Sequence, residues 1–230
     1  MVSNITSNVL LIRERIARAA EAAGRSPEEI CLVAVTKNRT PEEIREALAA
    51  GITDIGENRV QEALAKVEAV GRGCRWHMIG TLQTNKVRAA LGFADLIHSL
   101  DRPELALAID REARRAGRTV PVLIQVNVSG EATKHGVAPE GLRALVEQAS
   151  ALETLEVQGL MTIAPLAGPD VVRPVFARLR RLAEEVASWQ LPRVEMRWLS
   201  MGMSGDFELA IAEGANLVRI GTAIFGPRPG

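Results

Sequence analysis

Tyrosine is missing altogether from the 230-residue chain, and aromatic residues make up only 3% of it. No catalytic phenol can be assembled from these residues. Cysteine is scarce: Cys31 and Cys74 are the two present, far apart and outside any C-x-x-C pair. That excludes a disulfide framework and a thiolate zinc site, and it fits a reduced, cytoplasmic protein. Net charge is absent as well, with 28 basic and 28 acidic side chains. A chain so balanced has no global attraction for nucleic acid or an anionic membrane, so any anion site must be local. No apolar run reaches the length of a membrane span. The short run from Val9 to Ile12 is cut off by Arg13 and Glu14, which does not read as a secretory signal. The Asn4-Ile5-Thr6 and Asn127-Val128-Ser129 sequons are therefore read as chance matches. No P-loop, no G-x-S-x-G and no metal-ligand spacing appears.

What is present is an ordinary globular composition, 47% hydrophobic and 24% charged. Ile5, Val9, Ile12, Ile16, Ala19, Ala20 and Ala23 recur at helical spacing and predict an amphipathic helix that ends near Gly24. Ser26-Pro27-Glu28-Glu29 has the form of a capping box and predicts a short helical turn. The chain then alternates. Apolar, often β-branched runs lie at Cys31–Thr36, Thr53–Gly56, Arg75–Ile79, Asp95–Ser99, Val120–Val128, Leu155–Met161, Glu195–Ser200 and Asn216–Gly221. Helical patterns separate them: Thr40-Pro41-Glu42-Glu43 opens one that Gly51 closes, and Asp101-Arg102-Pro103-Glu104 opens another that Gly117 closes. Ala138 to Ala151, Val171 to Trp189 and Gly205 to Glu213 carry further helical periodicity. The β runs are nearly continuous in apolar character, as in parallel sheets covered on both faces. Eight such units predict an α/β fold, a single (β/α)8 TIM barrel at the small end of its size range, with an extra N-terminal helix. A doubly wound open sheet is the alternative; against it, no G-x-G-x-x-G follows the first strand. With no linker or low-complexity segment, residues 1–230 read as one domain, residues 1–24 forming the helix packed on the barrel.

Active sites of such barrels lie at the C-terminal ends of the strands. Lys37 ends the first strand. If the alternation of side chains continues, it shares a face with Val33 and Val35, and an inward face would put its amine in the barrel mouth. A partly desolvated amine there can form a Schiff base with a carbonyl; the plainer reading is a solvated lysine closing a strand. After the seventh strand, Ser200-Met201-Gly202-Met203-Ser204-Gly205 combines glycines and hydroxyls before a helical pattern. At the end of the eighth, Arg219-Ile220-Gly221-Thr222 offers backbone donors and a hydroxyl. Barrels frequently bind phosphate with these two loops, although turn and cap chemistry would account for the same residues. His77 reads as a satisfied structural histidine, Asn58 as a helix cap, and His98 and His135 as isolated. The arginine-rich segments 111–118 and 173–181 read as solvated helix faces.

At these residues the chain resembles the pyridoxal phosphate homeostasis family. Five segments carry the resemblance: Ala34-Val35-Thr36-Lys37, Gly56 to Glu62, Trp76 to Lys86, Leu199 to Ser204 and Arg219 to Gly226, the third and fifth being long and specific. The resemblance implies a barrel akin to the N-terminal domain of alanine racemase, with Lys37 as the internal aldimine of pyridoxal 5'-phosphate (PLP). It implies that Ser204, Gly221 and Thr222 hold the phosphate, that Arg219 faces the pyridine nitrogen, that Asn58 lies near the ring and that Met201 packs at the cofactor. Lys86 matches a position suspected of helping cofactor movement. Departures are small: Arg59 stands where tyrosine is common, and Thr81 and Thr84 replace other small residues.

The implied function is binding, storage and delivery of PLP within the cell rather than a metabolic reaction. Two features of the residues agree. A permanently charged arginine cannot accept the pyridine proton, so the ring would be a weaker electron sink. The lysine–tyrosine pair of an alanine-racemase mechanism cannot be assembled without tyrosine. The alternative is a PLP-dependent amino-acid racemase with a substitute base. Expected partners are PLP and PLP-dependent apo-enzymes, with no nucleic acid or membrane, and the expected state is a monomer or weak dimer.

Overall fold

The computed structural model describes residues 5–131 and 133–227. Asn4, the first four residues of the expected N-terminal helix and the last three of the expected domain lie outside the described residues. Eight parallel strands close into a barrel in sequence order: β1 (Cys31–Val35), β2 (Asp54–Glu57), β3 (Arg75–Met78), β4 (Leu96–Leu100), β5 (Val120–Gln125), β6 (Leu155–Met161), β7 (Val194–Ser200) and β8 (Leu217–Ile220). β1 closes the ring on β8 with Val33 opposite Arg219, and meets β2 with Val33 opposite Asp54. The open-sheet alternative is thereby overturned: β1 has a hydrogen-bonded neighbour on both sides, so the sheet has no edge there.

The helices are α1 (Ile5–Ala22), α2 (Pro41–Ala49), α3 (Val60–Val70), α4 (Val87–Leu91), α5 (Pro103–Ala116), α6 (Leu142–Ala151), α7 (Pro169–Ser188), α8 (Phe207–Ala212) and α9 (Thr222–Phe225). The expected punctuation is realised. Thr40 caps α2 by accepting from the Glu43 N–H while Glu43 bonds back to the Thr40 N–H, and Gly117 closes α5 in the left-handed region at φ 62°. None of the helices among the described residues is long and apolar enough to cross a membrane.

Strand alternation divides the apolar residues into two layers. Val33, Leu96, Leu123, Met161 and Leu217 point inward and pack with Cys31 and Trp198 as the barrel interior. The other face of each strand packs against the helices; Ala34, Ile55, Ile97, Val122 and Ile220 belong to that larger cluster. In α1, Ile5, Val9, Ile12, Ile16 and Ala20 form the buried stripe. Asn8 donates to the Ile224 carbonyl at 2.8 Å and Arg15 pairs with Glu208 at 2.7 Å. The helix thus clasps α8 and α9, the two elements that follow the candidate phosphate loops.

Candidate functional site

The odd residues of β1 face inward, and the alternation runs past the strand end: Cys31 and Val33 fill the interior, while Val35 and Lys37 line a cavity at the C-terminal mouth. Lys37 is half-buried and sits in a tight turn. The Arg39 N–H donates to the Thr36 carbonyl at 3.0 Å, and Asn38 adopts φ 59°, a conformation asparagine tolerates better than most residues. The turn is held from behind. The Asn38 N–H donates to Glu62 Oε1 at 2.5 Å, and the buried Lys66 ammonium donates to the Thr36 carbonyl, to Glu57 Oε1 (2.6 Å) and to Glu62 Oε1 (2.6 Å). Burial pushes the Glu57 carboxyl above its ordinary range, against the opposing pull of Lys66 and the Thr36 hydroxyl.

The opposite wall comes from the loops after β7 and β8. Met203, Ser204, Gly205 and Asp206 line it from the first, Gly221 and Thr222 from the second, with Arg219 below. Gly202 makes the first loop possible. It sits at φ 91°, and a Cβ there would lie 2.6 Å from the Ala210 side chain. Ser204 ties the loops together by accepting from the Ala223 N–H at 3.3 Å. Asp206 Oδ1 accepts from the Met203 N–H at 2.5 Å, and burial raises its carboxyl pKa against that bond and the charge of Arg219. The cavity measures about 680 Å³, within the range of small-molecule sites. Lys37, Arg39 and Arg219 supply three cationic side chains to its wall and Asp206 one anionic one, so a neutral chain concentrates positive charge at this mouth. Arg39 is partly committed to Glu43 at 3.2 Å. On the remaining rim, Ile163, Pro165, Leu166 and Ala167 follow β6, with Leu166 fully exposed.

Beneath the cavity a polar thread crosses the barrel. Arg219 donates through Nη1 to Ser200 Oγ (2.6 Å) and through Nη2 to the Thr162 carbonyl (2.8 Å). Ser200 Oγ meets His98 Nδ1 at 2.9 Å, His98 Nε2 meets His77 Nδ1 at 2.9 Å, and His77 Nε2 meets Asp54 Oδ1 at 2.9 Å. Asp54 also pairs with Arg75 (2.8 Å), whose side chain is 55% exposed. Burial raises the Asp54 carboxyl, but hydrogen bonds from His77 and Thr53 outweigh it and hold the group well below the ordinary carboxylate range. Burial lowers the Arg219 guanidinium to about 10, so it stays charged at neutral pH.

Of the residues singled out from the sequence, the structure brings Lys37, Asn58, Ser204, Arg219, Gly221 and Thr222 to one cavity. Met201 is corrected: its side chain is fully buried in the helix-packing core and does not line the cavity, whereas Met203, one pleat further on, does. Asn58 is not a helix cap; Arg59 holds that position before α3, and Asn58 turns to the cavity instead. His98 is not isolated, being bonded to His77 and Ser200. Lys86 lies in a short 3-10 turn outside the cavity lining. Asp206, Arg39, Ile79 and the 163–167 rim were not foreseen; only the position of Asp206 just beyond Ser204-Gly205 could have signalled it.

One observation tests whether these residues fit a bound cofactor. Asn58 Oδ1 is buried in the cavity wall and has no hydrogen-bond partner. That oxygen is enclosed by protein, so the cavity meets Asn58 through its other atoms. Opposite, hydroxyls and glycine N–H groups stand beside a guanidinium, a donor set suited to a phosphate. An anionic ligand fits that donor set.

Fold and cavity together define a barrel of the alanine racemase type, and the family described as "Alanine racemase, N-terminal domain" matches residues 8–229. Distant members share the fold alone: an alanine racemase from Corynebacterium glutamicum is 19% identical, with a TM-score of 0.75 over 97% of this chain and 61% of that one. Within that class the chain belongs to the pyridoxal phosphate homeostasis protein family. It is 48% identical to the protein of that name from Aquifex aeolicus, over 98% of this chain and 99% of that protein, and 43% identical to the one from Pseudomonas aeruginosa, over 99% and 97%. PipY of Synechococcus elongatus PCC7942, solved with PLP bound, is 41% identical with a TM-score of 0.80, covering 92% of this chain and all of that one.

Proposed function

We propose that the chain binds pyridoxal 5'-phosphate and takes part in its homeostasis, holding the cofactor on Lys37 and releasing it to PLP-dependent apo-enzymes in the cytoplasm. The observation that carries this reading is the convergence on one cavity of a strand-end amine and a phosphate-type donor set on the far wall. The bound cofactor supplies a reactive aldehyde. Lys37 would hold the cofactor covalently through that aldehyde, with loss of one water, and so would keep it from other amines. Ser204 Oγ, the Gly221 and Thr222 backbone and the Thr222 hydroxyl grip the phosphate. The charged Arg219 donates toward the pyridine nitrogen and withholds the proton that would make the ring a strong electron sink. That favours carriage over catalysis and treats residues 1–230 as one cofactor-binding domain, monomeric or weakly dimeric.

The test is an absorption spectrum with and without added PLP, followed by borohydride reduction and peptide mapping. A visible imine band and a reduced adduct on Lys37 are expected, both lost in Lys37→Ala. An unchanged band in that variant, or an adduct on another lysine alone, overturns the assignment.

A further inference from the structure

The polar thread under the cavity is more than small barrels need. Their interiors are ordinarily filled by layers of branched apolar side chains. Here Asp54, His77, His98 and Ser200 are all buried inside the barrel, joined end to end by hydrogen bonds. The donor inventory gives the thread a direction. Arg219 has donors and no acceptor, so its Nη1 donates to Ser200 Oγ. Ser200 Oγ keeps a second lone pair, so the direction is set from the other end: the Asp54 carboxylate only accepts, His77 donates to it from Nε2 and, carrying one proton, accepts through Nδ1 from His98 Nε2, which leaves His98 Nδ1 to accept the Ser200 hydroxyl. Burial holds the His98 pKa well below its ordinary value, and the nearby His77 and Arg219 push the same way. The proton of His98 therefore sits on Nε2 and is donated to His77 Nδ1, and the proton of His77 sits on Nε2 and is donated to Asp54 Oδ1. Every bond runs from the cation under the cavity to the carboxylate at the other end of the thread.

We infer that Ser200, His98 and His77 are positioning residues of the cavity: a one-way donor chain that ties the Arg219 guanidinium to the Asp54 carboxylate and fixes the edge it presents to the bound ring. The inference rests on the reading that Arg219 meets the ligand. It deepens that reading by making the donor edge depend on groups the ligand never touches. Two of the five guanidinium N–H groups are spent on Ser200 and Thr162, leaving the others for the cavity. The charged and titratable groups around the thread are Arg75, Cys31, Cys74 and Asp95 near the Asp54 end and Asp206 near Arg219. Burial, aided by Asp54, pushes the Cys31 thiol up to about 12, so it stays neutral and leaves the direction unchanged. Reversal needs either a second proton on His77 or the loss of the Asp54 charge.

Long-range ¹⁵N–¹H spectra of histidine-labelled protein without PLP read the tautomers directly. The Nε2–H tautomer is the expected reading for both rings. In Asp54→Asn the Thr53 hydroxyl (2.7 Å) and Arg75 Nη2 (3.1 Å) hold the amide oxygen at the Oδ2 position, so the NH2 faces His77 and the half-exposed Arg75 side chain, whose Nε lies 2.8 Å from Oδ1, must move off that position. Both rings should then carry the proton on Nδ1, a change read at His98, a full residue beyond the one that touches Asp54. Ser200→Ala removes the anchor of Arg219 while leaving the wild-type tautomers. Both variants should bind added PLP at least about fivefold more weakly than wild type, the scale of one hydrogen bond to a charged group. An Nδ1–H tautomer or an imidazolium in the wild type overturns the chain. Wild-type PLP affinity in both variants overturns its positioning role. If wild-type protein gives no PLP chromophore, the proposed function falls and the positioning role with it, whereas the tautomers still decide whether the oriented chain exists.

Discussion

Lys66 shows how much of this site is held by a residue that never reaches the cavity. Its ammonium is buried to within 7% of full enclosure and bonds two carboxylates and the carbonyl of Thr36, the residue before Lys37. Replacing it by methionine keeps most of the volume but leaves Glu57 buried without its counter-charge. Breaking a buried pair from one side costs about 3 kcal/mol or more. The sign of the pH dependence follows from Glu57, whose carboxyl is already raised by burial. Without Lys66 it rises further, so the folded state of the variant takes up a proton that the unfolded chain has lost. The lost stability should return as pH falls toward the ordinary Glu value of 4.5. Urea denaturation of Lys66→Met at pH 7.5 and pH 5 checks this. A deficit equal at both values would show that Glu57 is not the source.

At the scale of elements, α1 decides how firmly the cavity wall formed after β7 and β8 stands. It is not one of the barrel's own crossovers, yet it packs along α8 and α9 and bonds the Ile224 carbonyl through Asn8. Ile12 is 1% exposed in its buried stripe. Ile12→Ala removes three carbons from a closed contact and should cost about 3 kcal/mol, lowering Tm by on the order of 10 °C. PLP affinity should fall with it, because α9 begins at Thr222. Thermal melts with and without PLP check both effects; an unchanged affinity would detach α1 from the site. Element existence was legible because capping boxes and glycine stops punctuate a period that switches between strand and helix, and all eight strands were placed to within a few residues. α4 and α9, five and four residues long, are too short to show a helical period. The mouth residues were legible for a related reason: strand ends are local, and alternation past Val35 carries Lys37 inward. Met201 failed by one pleat, since the chain bends at Gly202 and hands the cavity to Met203. The His77–His98–Ser200 thread was not legible at all. Its partners are 21 and 102 residues apart, and only barrel closure makes them neighbours.

For the molecule as a whole, the question is whether a racemase-type barrel with a racemase-type cavity performs racemase chemistry. Racemisation at an amino-acid α-carbon needs a base on each face of the bound ring, or one base that reaches both, together with a ring able to take up the electron pair. The chain has no tyrosine. Among the described residues the cavity wall offers Lys37, Asp206 and two arginines as its titratable side chains. Asp206 is turned to the Met203 N–H of its own loop, and His77 and His98 are enclosed in the barrel with both ring nitrogens engaged. Arg219, still charged at a pKa of about 10, cannot relay the pyridine proton. PLP-loaded protein incubated with single enantiomers of a panel of L- and D-amino acids is therefore expected to show no sustained formation of the opposite enantiomer above that of free PLP, read by chiral chromatography. Sustained racemisation abolished by Lys37→Ala would place a second working base in this cavity. Asp206→Asn would then show whether Asp206 is that base, because the amide keeps an acceptor for the Met203 N–H while losing the ability to take up a proton.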